Sequence, residues 1–182
     1  MRNILAICLI CASFALSAQK FYATSSLFTM NASAETCKLF AKSANAVAAF
    51  DLVDGKFEHR INVDRMESIN DSILSILQKD FFRIDSFPAI KLNAQVQDFV
   101  PLMADRDKYI VQLLGDIELN GIKRNIAFEG ELQRRGIQVS IEYKLYIGLD
   151  QFKLKAPKDI AKCISPIMLI KGKAHLTDII KD

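Results

Sequence analysis

The sequence predicts an all-β fold: an eight-stranded antiparallel barrel with one amphipathic helix between the third and fourth strands. Three observations carry this. From Val139 to Leu149, six apolar side chains (Val139, Ile141, Tyr143, Leu145, Ile147 and Leu149) alternate with Ser140, Glu142, Lys144, Tyr146 and Gly148. Successive side chains on a strand point to opposite faces, so this run is one long strand with an apolar and a polar side. Comparable runs recur along the chain without the helical crossovers that parallel strands require. Turn dipeptides at Asp54-Gly55 and Asn120-Gly121 join neighbouring runs as antiparallel hairpins. Long strands in such a series curl and close, and a closed sheet has an interior.

Taken in order, Met1, Arg2 and Asn3 precede an uncharged apolar stretch from Ile4 to Leu16 and the small residues Ser17 and Ala18. This is the pattern of a signal peptide over residues 1–18 with cleavage before Gln19; cleavage before Ala18, with Ala15 and Ser17 as the small pair, fits it too. The apolar run is short for a transmembrane helix. Residues 19–182 are then a single barrel domain, large enough to bury about two thirds of its unfolded surface.

Strands are expected at 24–32, 45–53, 56–65, 88–99, 108–120, 123–133, 137–149 and 164–176. A two-residue turn at Asp54-Gly55 sets Phe50 opposite His59 and Leu52 opposite Phe57, with Asp51, Glu58 and Arg60 on the other face. Arg134-Arg135-Gly136 marks a further turn. Met66, Ile69, Ile73, Ile76 and Leu77 recur at spacings of three and four, which predicts the helix over Met66 to Asp80. A shorter helix is expected from Lys158 to Lys162, after Pro157.

The chain has 24 Lys and Arg against 21 Asp and Glu. Without Arg2 the balance is 23 to 21, too even to point to nucleic acid or an anionic membrane surface. The polar faces carry Asp51, Glu58, Arg60, Lys91, Asp116, Glu129, Glu142, Lys144 and Lys171 near strand centres. A lipid-facing girdle of that kind costs about 2 to 4 kcal/mol per midplane Lys or Arg, so the barrel is expected to face water and not to span a membrane. After the expected leader, two histidines, no paired-cysteine spacing and no His–carboxylate cluster argue against a metal site. A glycine-rich phosphate loop, a nucleophile elbow and a Ser, His and Asp set are also missing, so neither cofactor nor catalysis is expected.

Parity assigns the lumen. The ligand-contact candidates are Phe28, Met30, Phe50, Leu52, Phe57, His59, Ile61, Leu92, Val111, Leu113, Phe128, Ile141, Tyr143, Leu145 and Met168. Ala46, Ala48, Ala94, Gly115, Gly130 and Ala174 share the inward side and leave volume unfilled. Taken singly, each candidate reads first as plain core, since eight strands enclose a space that side chains just fill or that holds one small ligand. His59, between Phe57 and Ile61, reads as a satisfied core histidine, and His175 falls on the solvent side. Phe81, Phe82 and Phe87 either gate a mouth beneath the helix or pack it onto the barrel end. If the last strand closes on the first, Cys37 and Cys163 meet at one rim, as a disulfide worth roughly 4 to 5 kcal/mol by loop entropy or as two buried thiols.

Two segments resemble the YceI-like family. Asp80-Phe81-Phe82-Arg83-Ile84-Asp85-Ser86-Phe87-Pro88-Ala89-Ile90-Lys91-Leu92 is similar to its acid, Phe, aromatic, Pro, small, Ile segment leading into a strand. Gly115-Asp116-Ile117-Glu118-Leu119-Asn120-Gly121-Ile122-Lys123-Arg124-Asn125-Ile126 is similar to its Gly-containing hairpin. Leu92 stands where the family usually has Phe, and Lys123 where it has Thr. The resemblance implies a lipocalin-like, periplasmic or secreted barrel holding a long isoprenoid or other lipid in its lumen for storage or transport, without catalysis. The alternative from another class is a ligand-free envelope structural or stress protein that binds a partner through its surface.

Overall fold

The computed structural model describes residues 20–34, 39–68, 71–100 and 105–178. The expected signal peptide, Cys37 and Ile69 lie outside the described residues. The strands are β1 (Lys20–Ser33), β2 (Phe40–Asp51), β3 (Lys56–Asn62), β4 (Glu67–Ser68), β5 (Ala89–Val96), β6 (Arg106–Leu119), β7 (Ile122–Arg135), β8 (Gln138–Gly148) and β9 (Ile164–Asp178). Neighbours run β1-β9-β8-β7-β6-β5-β3-β2, and β2 pairs back onto β1. All these pairings are antiparallel, so the eight long strands close into the barrel that the alternation predicts. The two-residue β4 lies along β2 beyond the end of β3.

The helix α1 is shorter than its periodicity suggests. It runs over Asp71–Ile76 and passes into a π turn over Leu77–Phe81, closed by a hydrogen bond from Phe82 N to Leu77 O of 2.8 Å. The preceding residues answer to tertiary partners instead. Val63–Arg65 forms a 3-10 turn whose Val63 N donates to Pro88 O, and Ser68 Oγ donates to Phe40 O as Glu67 and Ser68 join the sheet. Met66 is buried in that connection. The short helix after Pro157 is a 3-10 turn over Lys158–Cys163.

The first hairpin departs from the expected register by two residues. Phe50 pairs with Phe57, and Ala48 with His59. A type I′ turn needs positive φ at both central residues; Gly55 has φ +70, whereas Asp54 is not among the positive-φ residues. The chain makes a wider turn, with Gly55 N bonded to Asp51 O at 2.9 Å and Asp51 Oδ1 accepting from Val53 N. That capping role buries Asp51, which the alternation assigns to the solvent side. An even slip preserves the faces, so Phe50, Phe57 and His59 still point inward. Asn120-Gly121 does form the two-residue turn, with φ +54 and +72 between the paired Leu119 and Ile122. The following turn is Gly136-Ile137, leaving Arg134 and Arg135 inside β7.

β1 and β2 begin earlier than expected and carry matched irregularities. Burial along β1 switches from Phe21 and Ala23 to Ser26, Phe28 and Met30, and along β2 from Ala41 and Ser43 to Ala46, Ala48 and Phe50. Each switch inserts one residue into the alternation, a β-bulge. At one end, Leu77, Phe81, Phe82, Phe152, Leu154 and Ile160 are buried beneath α1 and the two later 3-10 turns. Phe81 and Phe82 stack edge to face at 5.0 Å and Phe87 lies against Gly121 with the Arg83 guanidinium above it, so these rings pack the end.

Candidate functional site

The inward faces converge as the alternation requires. All fifteen ligand-contact candidates are buried: Phe28, Met30, Phe50, Leu52, Phe57, His59, Ile61, Leu92, Val111, Leu113, Phe128, Ile141, Tyr143, Leu145 and Met168. Ala46, Ala48, Ala94, Gly130 and Ala174 join them, while Gly115 is half-buried. Apart from the buried Asp51, the charges lie outside, in pairs such as Lys91–Glu118 at 3.2 Å, Lys123–Asp116 at 2.8 Å and Lys173–Glu142 at 2.7 Å. His175 is exposed.

His59 is not simply enclosed by apolar neighbours; it is half of a bridge. In the closed order of strands, β3 and β8 stand four places apart in either direction, on opposite walls. His59 Nδ1 on β3 and Tyr143 Oη on β8 are 2.8 Å apart. On the other side of the ring, Nε2 lies 2.8 Å from Ser26 Oγ, which donates to Ala46 O at 2.7 Å. The serine proton is committed to that carbonyl, so Nε2–H donates to Ser26 and Nδ1 accepts from the Tyr143 hydroxyl. The β1 bulge is what turns Ser26 inward to receive this bond.

Rings surround the bridge. Tyr143 meets Phe57 at 5.7 Å and Phe128 at 5.4 Å, and His59 meets Phe28 at 6.3 Å. Aromatic side chains from β1, β3, β7 and β8 therefore touch across the interior at this level. Tyr143 fits because Gly172 has no side chain: a Cβ there would stand 2.2 Å from the Tyr143 ring. Burial pushes the His59 pKa down to about 4 and raises that of the Tyr143 phenol. Both groups are neutral at ordinary pH. Every buried side-chain N or O among the described residues has a hydrogen-bond partner.

Alternation by itself missed Ser26. The signal was present in the odd interval of five residues between the inward Ala23 and the inward Phe28. An odd interval on one strand demands an inserted residue, and Thr24-Ser25-Ser26 is the only polar run there.

Two clefts open elsewhere. One of about 300 Å³ sits at the rim opposite α1, lined by residues including Val96, Phe99, Tyr109 and Val111. Phe99 there packs edge to face on Phe50 at 5.8 Å. A second, of about 560 Å³, is a groove on the outer wall between Leu27, Ile110, Glu131, Glu142, Lys144 and Lys171, with Gly130, Tyr143 and Gly172 also lining it. Among the described residues, no group of three or more His, Cys, Asp or Glu side chains is placed to hold a metal, and no helix is long and apolar enough to cross a membrane. Cys163 is disulfide-bonded.

A search of curated proteins finds no match. Among solved structures, a polyisoprenoid-binding domain from Saccharophagus degradans, described as implicated in plant cell wall breakdown, superposes with a TM-score of 0.74 at 13% identity, covering 89% of this chain and 99% of that one. BcnA of Burkholderia cenocepacia gives 0.63 at 15% identity, over 83% of this chain and 94% of that one. The Campylobacter jejuni YCEI protein gives 0.51 at 16% identity, over 71% and 79%. These likenesses share the barrel. In sequence, the YceI-like domain matches residues 17–173, nearly the whole barrel and both segments noted above, and so the chain belongs to the YceI-like family.

Proposed function

We propose that this protein is an exported carrier that binds a long apolar ligand, an isoprenoid or similar lipid, inside the barrel and performs no chemistry on it. The carrying observation is sidedness: the inward faces of all eight long strands are apolar apart from Ser26, Ser43, His59 and the Tyr143 hydroxyl, and the ion pairs stand outside. Family membership supports the reading, as does the polyisoprenoid-binding description of the Saccharophagus relative. Each methylene taken from water contributes about 0.8 kcal/mol, so a few isoprene units suffice for useful affinity. The fifteen buried candidates are the proposed contacts. Residues 1–18 act as the export signal, which places the mature domain in the periplasm or outside the cell, and Cys37 is the proposed partner of the bonded Cys163.

A second reading, a ligand-free envelope protein that engages a partner through its surface, is favoured by the rings that touch across the interior and by the 560 Å³ outer groove. Native mass spectrometry and organic extraction of protein purified from its own host separate the two. A retained lipid supports the carrier; a folded protein that neither retains nor takes up any apolar ligand refutes it.

A further inference from the structure

Resting on that carrier reading, we propose that the His59–Tyr143 bridge is the receptor for the polar end of the ligand, and that this end is an uncharged hydroxyl, as in a long-chain alcohol, in place of a phosphate or carboxylate. The chemistry follows from how the two groups are paired. Tyr143 offers one O–H and His59 Nδ1 offers one lone pair, and at 2.8 Å each satisfies the other. A hydroxyl entering between them accepts from Tyr143 and donates to Nδ1, so all three groups stay paired while the rings part. A carbonyl accepts from Tyr143 but leaves Nδ1 without a donor in an apolar site, which is costly. A hydrocarbon end leaves both unpaired or must stop short of them.

An anionic end fares worse. The buried polar and charged side chains among the described residues are Ser26, Ser43, Asp51, His59 and Asn120, together with the Tyr143 hydroxyl, and none is a lysine or arginine. Asp51 and Asn120 are engaged at turns, with Val53 N and with Arg83 Nε. His59 does not supply the missing cation, because its burial keeps it neutral at ordinary pH. A phosphate or carboxylate drawn to the bridge would be an unpaired buried charge.

The test compares geranylgeraniol, the matching hydrocarbon without the hydroxyl, and geranylgeranyl diphosphate, each titrated into purified delipidated protein and followed by native mass spectrometry. The alcohol is expected to bind about tenfold more tightly than either of the others, and in the double variant His59→Leu with Tyr143→Phe, which removes both the acceptor and the donor, the ratio of alcohol to hydrocarbon affinity should collapse to about one. Equal binding of alcohol and hydrocarbon, or preference for the diphosphate, overturns this inference and leaves the carrier reading intact. Binding of none of the three refutes both. Should the double variant fail to fold, the wild-type protein still decides: the ¹⁵N resonance of His59 Nδ1 must shift on saturation with the alcohol, and an unmoved resonance excludes the bridge as receptor.

Discussion

His59 Nδ1 and Tyr143 Oη lie 2.8 Å apart although their strands form opposite walls of the barrel. One hydrogen bond thus spans the interior, sheathed by Phe28, Phe57 and Phe128 and anchored through Ser26 to the carbonyl of Ala46. Its energetic weight is asymmetric: made, it contributes about 1 kcal/mol; broken on one side, it leaves a buried polar group costing about 1 to 3 kcal/mol.

Acid should expose the histidine. Its folded pKa is about 4 against an ordinary 6.5, so between those values the unfolded chain binds a proton that the folded chain refuses. Stability is then full above pH 6.5 and falls as the pH drops to 4, by about 3 kcal/mol from this group. His59→Gln keeps an acceptor for Tyr143 and a donor for Ser26 without titrating. Urea melts at about pH 7 and about pH 4.5 should show wild type losing more stability than this variant; identical losses would contradict a buried neutral His59.

Glycine substitutions rank by what a methyl group would strike. At Gly115 a Cβ would lie 2.0 Å from the Asn93 carbonyl oxygen, backbone of the adjacent strand that cannot step aside. Gly115→Ala should cost about 3 kcal/mol or prevent folding. Gly172→Ala presses on the Tyr143 ring and should break the bridge at a cost of about 1 to 3 kcal/mol. Gly136 has φ +56 but open space around it, so Gly136→Ala should cost only about 1 kcal/mol. Thermal denaturation of the three variants checks the order.

Charges placed in the lumen should abolish ligand uptake. Val111 and Phe128 are both buried on inward faces, one on β6 beside the rim cleft and one against Tyr143. Val111→Asp with Phe128→Asp puts unpaired carboxylates where an alkyl chain would run. Lipid retention, scored by extraction of protein with native circular dichroism, should vanish; retention equal to wild type would rule out this interior as the binding place.

The disulfide of Cys163 admits a direct count. Ala34 N bonds to Cys163 O at 3.1 Å, so the end of the described segment before Cys37 lies beside Cys163. Tryptic mapping without reductant should yield one Cys37–Cys163 peptide pair, and reduction should add the mass of two hydrogen atoms. Removing the bond with Cys163→Ala is expected to destabilise the mature protein by about 2 to 5 kcal/mol.

Alternation in runs such as Val139 to Leu149, together with Asn120-Gly121, was enough to specify eight antiparallel strands and to sort nearly every side chain by face, because a strand's period of two is local and a two-residue slip does not disturb it. For that reason the fifteen inward residues were legible even though Phe50 pairs with Phe57 and not with His59. Tertiary contacts decided what local pattern could not express. They drew Glu67 and Ser68 out of a helical periodicity into the sheet and bulged β1 so that Ser26 faces His59. Above all they brought Tyr143 to His59, since residues on opposite walls share no strand, turn or register, and only closure of the whole barrel sets the distance between them.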